Sequence, residues 1–150
     1  MAEIRKIEPK DTQAVLEMMK VFYDSPAVSH EVPIDTLMRN IEACIGGSPL
    51  IEGFVFQEQD CLAGYAMLVK SYVTEFGGTC IWVEDLYLKP EYRGSGIGTQ
   101  FLTYVEECFR GKAVLLKLEV EQSNESAVRV YRKYGFEELP YMEMIKELPC

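Results

Sequence analysis

Two adjacent carboxylates, Glu84 and Asp85, break an otherwise apolar stretch, IWVEDLYL, and a glycine-rich turn, Arg93-Gly94-Ser95-Gly96-Ile97-Gly98-Thr99, follows soon after. Each half suggests chemistry. Ionisable groups are rare in apolar strands and concentrate where a proton is moved or a cation held. Glycines let the chain turn sharply and bring backbone N–H groups close to a ligand, and the start of a helix adds unpaired donors and the positive end of its dipole. With Arg93 as a charged donor, the turn suits a phosphate or pyrophosphate. Alternation along the strand places Trp82, Glu84, Leu86 and Leu88 on one face and Val83, Asp85 and Tyr87 on the other.

What the turn lacks narrows the ligand. A dinucleotide fingerprint requires G-x-G-x-x-G, yet counting from Gly94 the third glycine position is Thr99, and from Gly96 it is Phe101; no Gly-Lys-Ser/Thr closes a P-loop either. Two plain alternatives stand beside the functional ones. The glycine turn holds no ligand at all, or Asp85 is a structurally partnered or solvent-edge acid.

The elements that must position these groups are legible from periodicity. Glu3 to Ile7 reads as a strand, and a helix follows with Asp11 as its cap and Ala14, Val15, Met18, Met19 and Phe22 at helical spacing. Tyr23 to Pro33 reads as a loop able to shape a pocket, and Ile34 to Ile45 as a second helix stopped by Gly46 and Gly47. Ile51 to Gln57 and Leu62 to Val73 form a predicted hairpin, followed by a strand from Thr79 to Leu88 that Pro90 ends. After the glycines, Phe101, Leu102, Val105, Cys108 and Phe109 mark one helical stripe, closed by Gly111. Ala113 to Val120 is then a strand, Glu125 to Tyr134 a helix ended by Gly135, and Tyr141 to Leu148 a last strand. The order β-α-α-β-β-β-α-β-α-β predicts one mixed α/β domain over residues 1–150, with a mixed central sheet and helices on both faces.

Composition bounds the function. A chain of 150 residues, 48% hydrophobic and 26% charged, is long enough to bury a core and has the make-up of an ordinary globule. Its net charge of −9 argues against binding a nucleic-acid backbone and suits a cationic substrate, though acidity also serves solubility alone. No apolar run is long enough for a membrane helix, and the opening MAEIRKIEPKDTQ lacks a signal-peptide core, so a cytoplasmic location is expected. Cys44, Cys61, Cys80, Cys108 and Cys150 are scattered and form no Cys-x-x-Cys pair, which suggests neither a zinc site nor a disulfide framework. His30, the sole histidine, falls in the loop after the first helix, at the surface or a pocket rim.

With these residues in view, the sequence resembles the GNAT superfamily of N-acetyltransferases. Its cofactor signature [QR]-x-x-G-x-[GA] is matched by Arg93, Gly96 and Gly98, and N-x-x-A-x-x-x-Y-x-x-x-G-F by Asn124, Ala127, Tyr131, Gly135 and Phe136. The two motifs occur in the family's order, and the element order resembles the family's from end to end. The resemblance implies acetyl-CoA as cosubstrate and no metal. It implies that N–H groups from Gly94, Ser95, Gly96, Ile97, Gly98 and Thr99 hold the pyrophosphate. The strand stretch Leu86, Tyr87 and Leu88 then lies along the pantetheine arm, through the backbone of Leu86 and Leu88, and Asn124 contacts that arm.

Tyr131 follows Asn124 by seven residues, nearly two helical turns, so the two share a helix face; a core aromatic is the plain alternative. A primary amine with a pKa of about 10.4 must lose a proton before it attacks a thioester. Glu84 is the expected base, the Leu86 N–H the oxyanion donor and Tyr131 the acid for the departing thiolate. Tyr23, Asp24, Glu31 and Asp85, with Asp35, are expected around the acceptor, a small cationic amine or polyamine. Acetylation of a protein lysine or N-terminal amine, and a non-catalytic acyl-CoA sensor, are the alternatives. A homodimer is the family's habit.

Overall fold

A computed structural model describes residues 2–28 and 30–149, so the expectation for the Cys150 thiol lies outside the described residues. The chain divides into two compact units, Met1–Glu119 and Val120–Cys150. In the first, β1 (Glu3–Lys6), α1 (Thr12–Tyr23), α2 (Ile34–Ile45), β2 (Ile51–Glu58), β3 (Cys61–Val73), β4 (Gly78–Leu88), α3 (Ile97–Phe109) and β5 (Leu115–Leu118) follow one another. The strands form one sheet in the order β1-β2-β3-β4-β5; the first four pair antiparallel, and β5 runs parallel to β4. The mixed α/β class and mixed sheet expected from the sequence are present. No helix among the described residues is long and apolar enough to cross a membrane.

Strand alternation sends side chains to two different layers. Val55, Tyr65, Met67 and Tyr87 bury against Val15, Met18 and Met19 of α1 and Leu37 and Ile41 of α2. On the opposite face, the rings of Phe54 and Phe56 lie 5.7 and 5.2 Å from that of Phe101 in α3. Burying an aliphatic or aromatic side chain of this size contributes about 1.5–3 kcal/mol, so both layers hold the sheet firmly and α3 is fixed from its first turn onward.

The entry to α1 departs from expectation. Asp11 occupies the N-cap position of α1, but its side chain makes no cap bond to that helix. Its carboxylate instead accepts both terminal nitrogens of Arg5, at 2.8 and 2.9 Å, and the N–H of Glu8 at 2.8 Å. The Arg5 hydrogen bond holds the buried Asp11 carboxyl below the usual carboxylate range. The Glu8 contact is half of a local capping box over the short 3-10 turn Pro9–Asp11, while the cation from β1 adds a two-pronged, charge-assisted contact stronger than a neutral cap to α1.

The second unit contains α4 (Glu125–Tyr134), ended by Gly135 at φ 117°. The strand expected over Tyr141–Leu148 is not formed; the stretch is neither strand nor helix. In YMEMIKEL the apolar residues do not gather on one parity, so no single face gains from pairing in strand form.

Candidate active site

The site begins with a fault in the β3–β4 ladder. Met67 pairs with Asp85 and Leu68 with Val83, so Glu84 is the extra residue of a β-bulge in β4. Lys70, opposite Ile81, reaches the Phe109 ring of α3, which puts Ile81, and by alternation Val83, on the α3 face. Without the bulge Asp85 would follow them. With it, Asp85 and Tyr87 turn to the α1–α2 face beside Met67 and Tyr65. The simple alternation expected for Trp82, Glu84, Leu86 and Leu88 therefore breaks at Glu84, and Leu86 and Leu88 no longer share a face with Trp82. Glu84 is exposed, whereas Asp85 is 2% exposed.

Beyond the bulge β4 also parts from β5. Their parallel ladder runs from Cys80↔Leu115 to Val83↔Leu118 and stops there. The Lys89 N–H donates to the Ala63 carbonyl at 2.9 Å. In antiparallel alternation this directs the backbone groups of Leu86 and Leu88 away from β3, toward the edge that β5 no longer covers. The Leu88 carbonyl accordingly accepts Nε of Arg93 at 3.0 Å, and the Arg93 guanidinium lies over the Tyr87 ring at 5.7 Å.

The glycine turn leads from this edge into α3. Gly94 and Gly96 have φ of 74° and 89°, a region that side chains with a Cβ rarely enter, and Gly96 is the N-cap of α3. The first helical bond of α3 is Gln100 N–H to Gly96 O at 2.9 Å. The N–H groups of Ile97, Gly98 and Thr99 thus precede the ladder, and no side chain caps them. The Ser95 hydroxyl is engaged elsewhere, donating to the Tyr92 carbonyl at 2.5 Å and tightening the turn. Open donors and the positive end of the helix dipole give this turn chemistry that suits an anion, with the Arg93 guanidinium nearby in sequence and bonded at Nε to Leu88.

On the α1–α2 face, Asp85 accepts the hydroxyls of Tyr23 at 2.7 Å and Tyr65 at 2.8 Å. Burial pushes its carboxyl up, and the two phenols pull it part of the way back. Burial, followed by the nearby Asp85 charge, raises both phenols, and the same two causes with Glu52 push the Cys44 thiol up to about 11. Tyr23 also lines a cavity of about 150 Å³ with Asp24, Glu31, Lys20, Val32 and Leu37. Tyr23, Asp24 and Glu31 are thus brought together as the sequence suggested, whereas Asp85 sits behind Tyr23 and Asp35 is not among the lining residues. A depression of about 400 Å³ at the β2–β3 turn, lined by Glu58 to Cys61 and Tyr92, contains none of the expected residues.

In the second unit, Asn124 caps α4, its Oδ1 accepting the Ala127 N–H at 3.4 Å. Tyr131 packs edge-on to Phe136, with ring centroids 5.8 Å apart, and burial raises its phenol above the ordinary value. No group of three His, Cys, Asp or Glu among the described residues could hold a metal ion.

A family model for the acetyltransferase (GNAT) family matches residues 14–136. The chain belongs to that family. It is an acetyl-CoA-dependent acetyltransferase, similar to the thialysine N-epsilon-acetyltransferase of Bos taurus, 28% identical with 93% of this chain and 86% of the relative covered. An integron cassette protein from the Cole Harbour Salt Marsh metagenome shares 26% identity at a TM-score of 0.78, over 98% of this chain and 91% of the other. The aminoglycoside N-acetyltransferase AAC(6')-Iy, solved with CoA, has the same fold at a TM-score of 0.80 and 15% identity, over 98% and 95% of the two chains.

Three features of the acetyltransferase were not read from its sequence. Tyr65, the second holder of Asp85, is in sequence one more aromatic of an apolar strand, and its partner lies in another strand. Lys20, the one cation among the described residues that line the Tyr23 cavity, sits on an exposed helical position with no distinguishing pattern. The bulge at Glu84 depends on the register of β3, and the only hint was two adjacent acids where strand alternation allows one buried face.

Proposed function

We propose that the enzyme moves the acetyl group of acetyl-CoA to the primary amine of a small cationic molecule, with Glu84 as base and Tyr131 as acid. One arrangement carries this reading. An exposed carboxylate at a bulge, an outward-facing strand edge at Leu86 and Leu88, and an uncapped glycine-led helix start follow one another along the chain. In this reading the edge of Leu86 to Leu88 and Asn124 take the pantetheine arm, and the N–H groups from Gly94 to Thr99, with Arg93, take the pyrophosphate. Acetyl-CoA supplies an activated acyl group as a thioester. The amine nitrogen forms the new C–N bond as the C–S bond breaks, Glu84 accepts the proton the amine sheds, and Tyr131 gives one to the thiolate. The Leu86 N–H faces the charge that develops on the carbonyl oxygen.

Two observations favour a small aminoalkyl acceptor. The relative from Bos taurus is named for the ε-amine of a lysine-like amino acid. The Tyr23 cavity, at about 150 Å³, is half the lower end of drug-sized pockets, roughly 300 Å³, and so takes an arm and not a large ring system. Free thiol should be followed with acetyl-CoA and thialysine, spermidine, a neutral-bodied monoamine and a lysine peptide. Thialysine and spermidine are expected to outpace the monoamine. A peptide turned over best assigns the enzyme to protein amines, and acetyl-CoA binding without thiol release on any amine makes it an acyl-CoA binding module.

Gly98 tests the cofactor cradle without disturbing the turn. It lies within α3, its φ is outside the positive range, and a Cβ built there meets nothing within 4 Å. Gly96, at φ 89°, would be strained by any side chain, so its replacement mixes folding with binding. Gly98→Val puts an isopropyl group over the helix start while valine is the better helix former. Acetyl-CoA affinity should fall roughly ten- to a hundredfold, as expected for one lost hydrogen bond to a charged group, with the melting temperature unchanged or higher. Calorimetric titration showing wild-type affinity removes the pyrophosphate from this turn.

A further inference from the structure

Asp85 and Tyr23 both have the chemistry to meet a cationic acceptor, but the structure gives them different tasks. Asp85 is 2% exposed, and each of its carboxylate oxygens already accepts a phenol, Tyr23 on Oδ1 and Tyr65 on Oδ2. The residues of α1 and α2, with Tyr65 and Tyr87, close over it; the rings of Tyr23, Tyr65 and Tyr87 all lie edge-on to Phe22, at 5.1 to 6.4 Å. A phenol carries one hydrogen. Tyr23 commits its hydrogen to Asp85, so its oxygen has only lone pairs left to offer. Those lone pairs belong to a residue that lines the cavity with Asp24 and Glu31.

We propose that Asp85 is a positioning residue that fixes Tyr23 as an acceptor-only group, and that the Tyr23 hydroxyl oxygen takes an N–H of the acceptor amine and selects for cationic donors. The inference rests on the reading of this cavity as the acceptor site. The negative charge behind the phenol polarises its oxygen and strengthens a bond to an ammonium, as hydrogen-bond chains do in a low-dielectric surround. Tyr65 pins the second carboxylate oxygen, so the carboxylate cannot rotate away from Tyr23. Burial and the Asp85 charge also keep the Tyr23 phenol protonated well beyond neutral pH, which removes it as a base. Asp85→Asn breaks the arrangement in a defined way. The amide has one acceptor oxygen for two phenols, so one of them must turn to receive an N–H and release its own hydrogen.

The test compares amine recognition in Tyr23→Phe, Asp85→Asn and the double variant, using thialysine and spermidine as probes, by calorimetry and by KM. Tyr23→Phe should weaken both probes roughly ten- to a hundredfold, the loss expected of one hydrogen bond to a charged group. The KM for acetyl-CoA should hold, with kcat falling less than the amine KM rises. If Asp85 acts through Tyr23, the double variant is no weaker for amine than Tyr23→Phe alone. Additive losses mean that Asp85 meets the amine directly and overturn the proposal, as does unchanged amine affinity in Tyr23→Phe. That second result with thiol release on the amine panel leaves the proposed function standing. No thiol release with a Tyr23-dependent loss of amine binding does the reverse. Should Asp85→Asn fail to fold, Tyr23→Phe, which keeps the ring packing, decides alone.

Discussion

Replacing Glu84 by glutamine should lower kcat for amine acetylation by roughly 10²- to 10⁴-fold, the usual contribution of a positioned base, while leaving the KM for acetyl-CoA near its wild-type value. Glutamine keeps the shape of the side chain at an exposed position, and the bulge is a backbone feature, so the strand register should survive the change. What is lost is the proton acceptor. An alkylamine with a pKa of about 10.4 is almost wholly protonated at neutrality, and the variant then depends on solvent to supply the free amine. The defect therefore shrinks as pH rises. Loss of electrostatic attraction alone would act differently, raising the amine KM and being mimicked by added salt, which screens exposed charges over roughly 8–10 Å. Measuring kcat and KM for spermidine from neutral to moderately alkaline pH, with and without salt, separates the two. A wild-type pH profile in Glu84→Gln sends the search for the base elsewhere.

Tyr131→Phe should reduce kcat by a similar factor, roughly 10² or more, with little change in the KM for acetyl-CoA. Phenylalanine retains the edge-on packing against Phe136, so the second unit should melt as before. The direction of the pH dependence follows from burial. Because burial raises the Tyr131 phenol above its ordinary value, the donor keeps its proton throughout neutral and moderately alkaline pH, and the wild-type profile should show no loss of this acid below about pH 10. In the variant, the leaving thiol must leave as thiolate or be protonated by water. With an ordinary thiol pKa of about 8.5, the defect should narrow above that pH. A kcat equal to wild type in a chemistry-limited assay makes Tyr131 a packing residue only.

The parts of this molecule that were legible from sequence are those whose determinants are local. Helix α2 begins after Pro33 and ends at Gly46, as its periodicity and flanking residues indicated, and Gly94 and Gly96 of the turn adopt positive φ. Strands β2, β3 and β4 fall within about a residue of their expected limits because apolar and β-branched runs are bounded by turn residues. What escaped depends on groups outside the element's own pattern, or on a pattern that only resembles one. Asp11 ignores its own helix because Arg5 is a better donor, Tyr65 meets Asp85 only across two paired strands, and Tyr141 to Leu148 had strand-like composition without the alternation that gives a strand one buried face. Asn124 belongs to the N-x-x-A-x-x-x-Y motif and also caps α4, as its position directly before Glu125 fits the capping preference.

The bulge in β4 gives position 84 two separable jobs. The carboxylate can be exchanged for another side chain without altering which way the following residues point, because their facing is set by the pairing of Asp85 with Met67 and not by the side chain of the unpaired residue before it. The other job is the local bend that an extra residue puts into the strand. Loss of residue 84 would remove that bend together with the exposed carboxylate, yet Val83 opposite Leu68 would then be followed directly by Asp85 opposite Met67, and Asp85 and Tyr87 would keep their face. Variation at this point of the chain thus reaches one side chain and one bend, while the contents of the two faces of the sheet stay where they are.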